Sequence, residues 1–146
     1  MSDPFALRHP GGLHIACGLQ ESMLLHDHRA LIVEPRERLE IQSSDWVWHR
    51  LKPWMDGGFR VGIELAFFQG ALSECLLFHD DDSLYGRNWN EWSEGKERKR
   101  AKALRSWLAS LGWAAGRYDW GELWVGYEPR TGLGGGWVRY APSARV

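Results

Sequence analysis

Cysteine is scarce in this chain. Cys17 and Cys75 are the only two in 146 residues. That is too few for a disulfide framework, and they lack the spacing of a metal knuckle. Reduced thiols, as in a cytoplasmic protein, are the expectation. No stretch approaches the roughly 20 apolar residues of a membrane helix. The start, MSDPFALRHPGGLHIACG, has no basic segment followed by an apolar core, so it does not read as a secretory signal. Charge of one sign is missing too: 18 Lys and Arg against 19 Asp and Glu leave a formal net charge of −1. No global field draws the chain to nucleic acid or to a membrane. Catalytic signatures are absent as well. There is no Gly-x-Ser-x-Gly elbow, no His-Glu-x-x-His and no Cys-x-x-Cys. The expectation is a domain without a cofactor, more a binder than an enzyme.

Tryptophan, by contrast, is abundant, with ten in the chain. Its indole carries a large apolar surface and a single N–H donor, so it serves cores, interfaces and stacking sites alike. Most of the ten should be structural, because Trp is usually highly buried. The question is whether any are left for a ligand.

The expected fold is α+β: a single antiparallel sheet of hairpins packed against one main amphipathic helix, in one domain spanning residues 1–146. Residues 1–12, with Pro4, Pro10, Gly11 and Gly12, read as a loose lead-in. LHIACGLQ and SMLLHDHRALIVEP read as β-structure, and RERLEIQ as a strand. SSDWVWHRLKPWMDGG reads as a helical turn stopped near Pro53. FRVGIELAFFQGALSECLLFHDDD is the clearest hairpin, with Gln69-Gly70 as a two-residue turn. That register puts Phe67 opposite Leu72, Ile63 opposite Leu76 and Val61 opposite Phe78. It sends Cys75 and His79 to the other face. Asn88 followed by Glu91 resembles a capping box. Leu104, Trp107, Leu108 and Leu111 then form a helical stripe ended by Gly112. A last hairpin places Leu123, Val125 and Tyr127 on one face and Trp124 on the other.

Several motifs bear on chemistry. LLHDHRAL puts His26 and His28 on one side of the expected strand, and HDDD supplies Asp80. These three are the candidate metal ligands, but no local pattern completes a site. HDDD reads better as an acidic turn than as a calcium loop. EGKERKRAKALR carries six basic and two acidic residues, with Arg98, Lys99, Lys102 and Arg105 opposite the apolar stripe. This is a solvated helix face or a patch for an acidic partner. GLGGGW precedes a strand and no helix, so it is a hairpin tip rather than a phosphate loop. Trp124 and Trp137 beside it are candidate partner-binding aromatics. Glu64 and Glu74 offer only the weak acid–base pairing any β-protein offers.

NWNEWSEGKERKRAKALRSWLASLG together with YDWGELWVGYEPRTGLGGGWVRY resembles small bacterial cytoplasmic proteins, some of which act as immunity partners of polymorphic toxins. The resemblance lies in aromatic, Gly and Pro punctuation over these two segments. It implies a protein partner such as a toxin, bound through surface charges and aromatics, and it implies no active-site residues. Three readings are open. The first is a non-enzymatic protein-binding domain, an immunity protein in the sharpest form, which a flat patch of Trp and Arg would favour. The second is a carbohydrate- or small-ligand-binding module, which a contiguous Trp-lined groove would favour. The third is a small metal-dependent hydrolase using His26, His28 and an aspartate. Nucleic acid and membrane partners are not expected.

Overall fold

The hairpin of β5 (Phe59–Phe68) and β6 (Ala71–His79) is the spine of the molecule, a computed structural model describing residues 3–33 and 45–142. Gln69 and Gly70 form its tip at φ 49° and 85°, the left-handed geometry that matches strand twist in a two-residue turn. The pairing starts as expected, with Phe67 opposite Leu72, and then slips at a bulge. Glu74 pairs Ala66, leaving Ser73 unpaired, so Ile63 meets Leu77 and Val61 meets His79. One extra residue turns every later β6 side chain over. Cys75, Leu77 and His79 therefore point into the core, and Glu74, Leu76 and Phe78 point out of it. This reverses the expected faces. The CLLF run is apolar at every position, so alternation had nothing to select between the two registers.

Among the described residues the sheet has seven strands, all antiparallel, in the order β3–β5–β6–β9–β8–β7, with β4 also pairing β5. Here β3 is Trp46–Arg50, β4 is Trp54–Asp56, β7 is Gly116–Tyr118, β8 is Gly121–Glu128 and β9 is Leu133–Tyr140. The expected helical turn before Pro53 is thus a strand. Trp46, Val47 and Trp48 are β-formers, and Phe68, Phe67 and Ala66 of β5 give them partners. Upstream the difference runs the other way. SMLLHDHRALIVEP was expected as β-structure, but α1 (Glu21–Asp27) and a 3-10 turn (Arg29–Leu31) occupy most of it. Two short strands, β1 (Leu7–Arg8) and β2 (His14–Ile15), make a separate hairpin. The N-terminal segment is no loose lead-in, because Phe5 is fully buried and Tyr140 donates its hydroxyl to the Phe5 carbonyl at 2.7 Å. RERLEIQ lies outside the described residues.

The main helix, α3 (Glu94–Ser110), begins later than the Asn88 signal suggests. Ser93 is its cap, accepting from the Lys96 N–H, while Asn88 caps a 3-10 turn at Trp89–Glu91. Its end is a Schellman motif. The Trp113 N–H donates to the Leu108 carbonyl and the Gly112 N–H to that of Ala109, with Gly112 at φ 90°. Ala101, Leu104, Trp107 and Leu108 form the buried stripe, packed on β6, β8 and β9. Leu111 is exposed, because it falls on the cap beyond the last turn. The glycine run adds to this contact. Only Gly132 has positive φ; Gly134, Gly135 and Gly136 lie inside β9. A Cβ on Gly134 would strike the Glu97 carbonyl of α3. Gly134 and Gly136, whose Cβ atoms would meet Glu97 and Leu104, let the helix lie directly on the strand, rather than loosening a tip.

Candidate functional site

The face of the sheet turned away from α3 carries an ordered pattern set by register. Cross-strand partners run in one lateral row: Arg50 on β3, Glu64 on β5, Leu76 on β6, Trp137 on β9 and Trp124 on β8. On one side of it runs a second row, Ala66, Glu74, Arg139 and Glu122. On the other side Gly126 pairs with Gly135, and the Phe78 ring occupies the space above Gly62. The absence of a side chain at Gly126 lets the Trp124 indole lie over it, 2.9 Å from where a Cβ would stand, and Gly135 sits close against the Leu77 carbonyl. Trp124 and Trp137 are stacked, with centroids 6.0 Å apart and planes at 18°, and the Arg139 guanidinium lies 3.8 Å from the Trp137 centroid.

A second wall rises from residues 80–92, which leave β6, form the short helix α2 (Asp82–Tyr85) and reach the 3-10 turn. It presents Trp89 and Trp92, 6.2 Å apart. The Trp92 indole N–H donates to the Gly132 carbonyl at 2.6 Å, tying this wall to the β8–β9 turn. Between the walls lies a cleft of about 780 Å³, lined by all four of Trp89, Trp92, Trp124 and Trp137. Trp89 is 68% exposed, and Leu133, also on the lining, is 47% exposed. Elsewhere the tryptophans pack. Trp107 stacks on Phe59 at 4.8 Å, and Trp120 stacks on Tyr118 at 5.0 Å and meets Trp113 edge-on.

A buried ion pair props the cleft open where β6 and β9 part. Glu97, 2% exposed, accepts from the Gly134 N–H at 2.9 Å, and Arg100 lies 3.3 Å from the same Glu97 oxygen. Arg100 also donates to the His79 carbonyl at 2.9 Å. The two side chains satisfy backbone groups that a continuing ladder would have paired. Nearby, His79 Nδ1 and the Tyr85 hydroxyl are 2.7 Å apart, and His79 is sandwiched against Phe59 at 4.5 Å. Burial lowers the His79 pKa, the Arg100 charge lowers it further, and Asp81 and Asp80 oppose the shift. Burial raises the Tyr85 pKa. The Ser83 hydroxyl and N–H hold Asp81 below its usual value. The Cys75 thiol, enclosed in the core, is pushed up to about 12 and is no nucleophile.

The expected partner-binding residues separate onto two surfaces. Trp124 and Trp137 belong to the cleft. Arg98, Lys99, Lys102 and Arg105 are exposed on α3, on the opposite side of the sheet. Two of these are already engaged: Arg98 sits 4.8 Å from the Tyr127 ring and 2.7 Å from Glu94, and Arg105 donates to the Val125 carbonyl. The metal candidates do not meet. His26 and His28 are not on a strand: His26 is on the last turn of α1 beside Asp27, and His28 is its C-cap. Asp80 lies at the end of β6, 3.5 Å from Arg50. Among the described residues no three His, Cys, Asp or Glu side chains form a group able to hold a metal. Nor is any described helix long and apolar enough to cross a membrane. Sequence reasoning missed Glu97 and Arg100, although Glu97 occupies the buried stripe one turn before Ala101, an irregularity visible in the heptad. It also missed Trp89 and Trp92, which carried no periodic signal. Comparison with protein families, curated proteins and solved structures finds no match to this chain.

Proposed function

We propose that this chain is a non-catalytic binding domain whose ligand site is the tryptophan-walled cleft on the outer face of the sheet. The observation that carries this reading is the convergence of Trp89, Trp92, Trp124 and Trp137 on one concavity. Core packing explains Trp107 and Trp120, but it does not explain an indole 68% exposed. The cleft's volume falls within the roughly 300–1,000 Å³ of small-molecule sites, which combine aromatic walls with a few placed polar groups. Its occupant is a small ligand with a flat apolar face, a saccharide ring being one such shape. Several of the cleft's titratable groups are held in structural bonds: Arg100 and Glu97 brace the backbone, and the Tyr85 hydroxyl bonds to His79. That arrangement suits recognition better than turnover.

A second reading is favoured by a different observation. Trp89 and Leu133 are exposed apolar side chains on the cleft's lining, of the kind that anchor a protein partner. In that reading the domain is an immunity-type protein, and a segment of its partner enters the cleft.

One experiment separates the two. The protein is screened against a glycan array and a fragment library, and in parallel used as bait against a host lysate. Hits are then titrated against Trp137→Ala and Trp89→Ala. A small ligand weakened about tenfold or more by Trp137→Ala supports the first reading. A single protein retained by the wild type and lost with Trp89→Ala, with no small-molecule hit, replaces it with the second.

A further inference from the structure

The cleft contains a charge imbalance that points to the ligand's chemistry. Four arginines reach its lining. Three of them have a carboxylate: Arg50 with Asp80 at 3.5 Å, Arg100 with Glu97 at 3.3 Å and Arg139 with Glu74 at 3.2 Å. Glu64 is left over. It is half-buried in the floor, and it makes no hydrogen bond or ion pair with any described residue. Arg50 is its direct cross-strand partner, yet the guanidinium leans away, toward Asp80 and the Phe78 ring at 5.1 Å. At the rim Asp82 and Arg87 carry opposite charges and face solvent.

A carboxylate set in an aromatic and aliphatic floor is poorly solvated and gains from a counter-charge. Its place in the lateral row defines the rest of the ligand. Leu76 separates Glu64 from Trp137, so the two are two strand spacings apart, or about 10 Å. Resting on the tryptophan-cleft reading, we propose that Glu64 is a ligand-binding residue and that the ligand carries a cationic nitrogen, an ammonium or guanidinium. The cation pairs with Glu64 and the ligand's apolar body lies over Leu76 against Trp137 and Trp124. An anion has no such partner on the floor, because Arg50, Arg100 and Arg139 are each paired with a carboxylate and Arg87 stands at the solvent-facing rim. The tryptophan faces add to the preference, since indoles attract cations.

The test uses matched probes that differ only in charge: 4-phenylbutylamine with 4-phenylbutanol, and glucosamine oligomers with the corresponding N-acetylated oligomers. Binding at neutral pH is measured by protein-observed NMR on the wild type and on Glu64→Gln, whose fold is checked by melting. The expected result is that the amines bind about tenfold more tightly than their neutral partners, and that Glu64→Gln erases the difference without weakening the neutral probes. Equal binding of charged and neutral probes, or a preference that survives Glu64→Gln, overturns the inference while the cleft reading stands. If no probe of either kind perturbs the cleft residues, both fall.

Discussion

The Gly134 N–H donates to the Glu97 carboxylate at 2.9 Å, at a point where the α3 backbone lies against β9. One bond thus ties the main helix to the glycine strand and braces the mouth of the cleft. A Cβ on Gly134 would strike the Glu97 carbonyl and come within 3.2 Å of the Ala101 nitrogen, so neither chain can yield by rotating a side chain. Gly134→Ala is expected to cost ~3 kcal/mol in denaturant unfolding. A loss below half a kcal/mol would mean that α3 does not sit on β9 in this way.

The same contact has an electrostatic half. Removing Glu97 leaves Arg100, whose side chain is 14% exposed, without its carboxylate. Glu97→Ala is expected to destabilise by about 3–5 kcal/mol, the usual cost of stranding a buried charge. Double substitution to Glu97→Leu with Arg100→Met should recover part of that loss. Thermal and urea unfolding of the three variants measures it, and a double variant weaker than Glu97→Ala alone would argue against the pairing.

The bulge at Ser73 makes a sharp prediction about faces. Ile63→Ala and Leu77→Ala should each cost roughly 2–5 kcal/mol, because both side chains are fully enclosed. Leu76→Ala should cost about 1 kcal/mol or less, because that residue is half-exposed on the cleft floor. A Leu76 cost matching that of Ile63 would restore the unbulged register.

The helical stripe from Leu104 to Leu108, the Gly112 stop and the Gln69-Gly70 turn are local signals, and each appears in the structure. The α+β character and the single main helix followed from them. The site was less legible because it depends on register. Glu64, Leu76, Trp137 and Trp124 come into one row only after the bulge turns β6 over, and nothing local in CLLF announces a bulge. The β3 segment was misjudged for a related reason: Ser, Asp and Pro suggested a capped turn, while tertiary pairing with β5 decided for a strand. Trp124 lies, as expected, on the face away from Leu123, Val125 and Tyr127, since alternation alone settles that.

His79 predicts a pH dependence. Its folded pKa lies below the ordinary value of 6.5, chiefly through burial. The unfolded chain therefore binds a proton more readily than the folded one. Stability from this group is complete above pH 6.5 and is lost as pH falls from there toward the depressed folded value. The wild type should lose more stability than His79→Gln between pH 7.5 and 5.5, as read from urea midpoints at each pH. Parallel pH profiles for the two proteins would remove His79 as the cause.

The most direct test of the cleft is fluorine NMR on protein containing 5-fluorotryptophan, titrated with whichever ligand the screen retains. Trp89, Trp92, Trp124 and Trp137 should shift together along one saturating curve, while Trp107 and Trp120, packed in the core, stay in place. Shifts confined to Trp54 and Trp113, or a bound ligand that leaves the four cleft resonances unmoved, would contradict the assignment of the binding site to this face of the sheet.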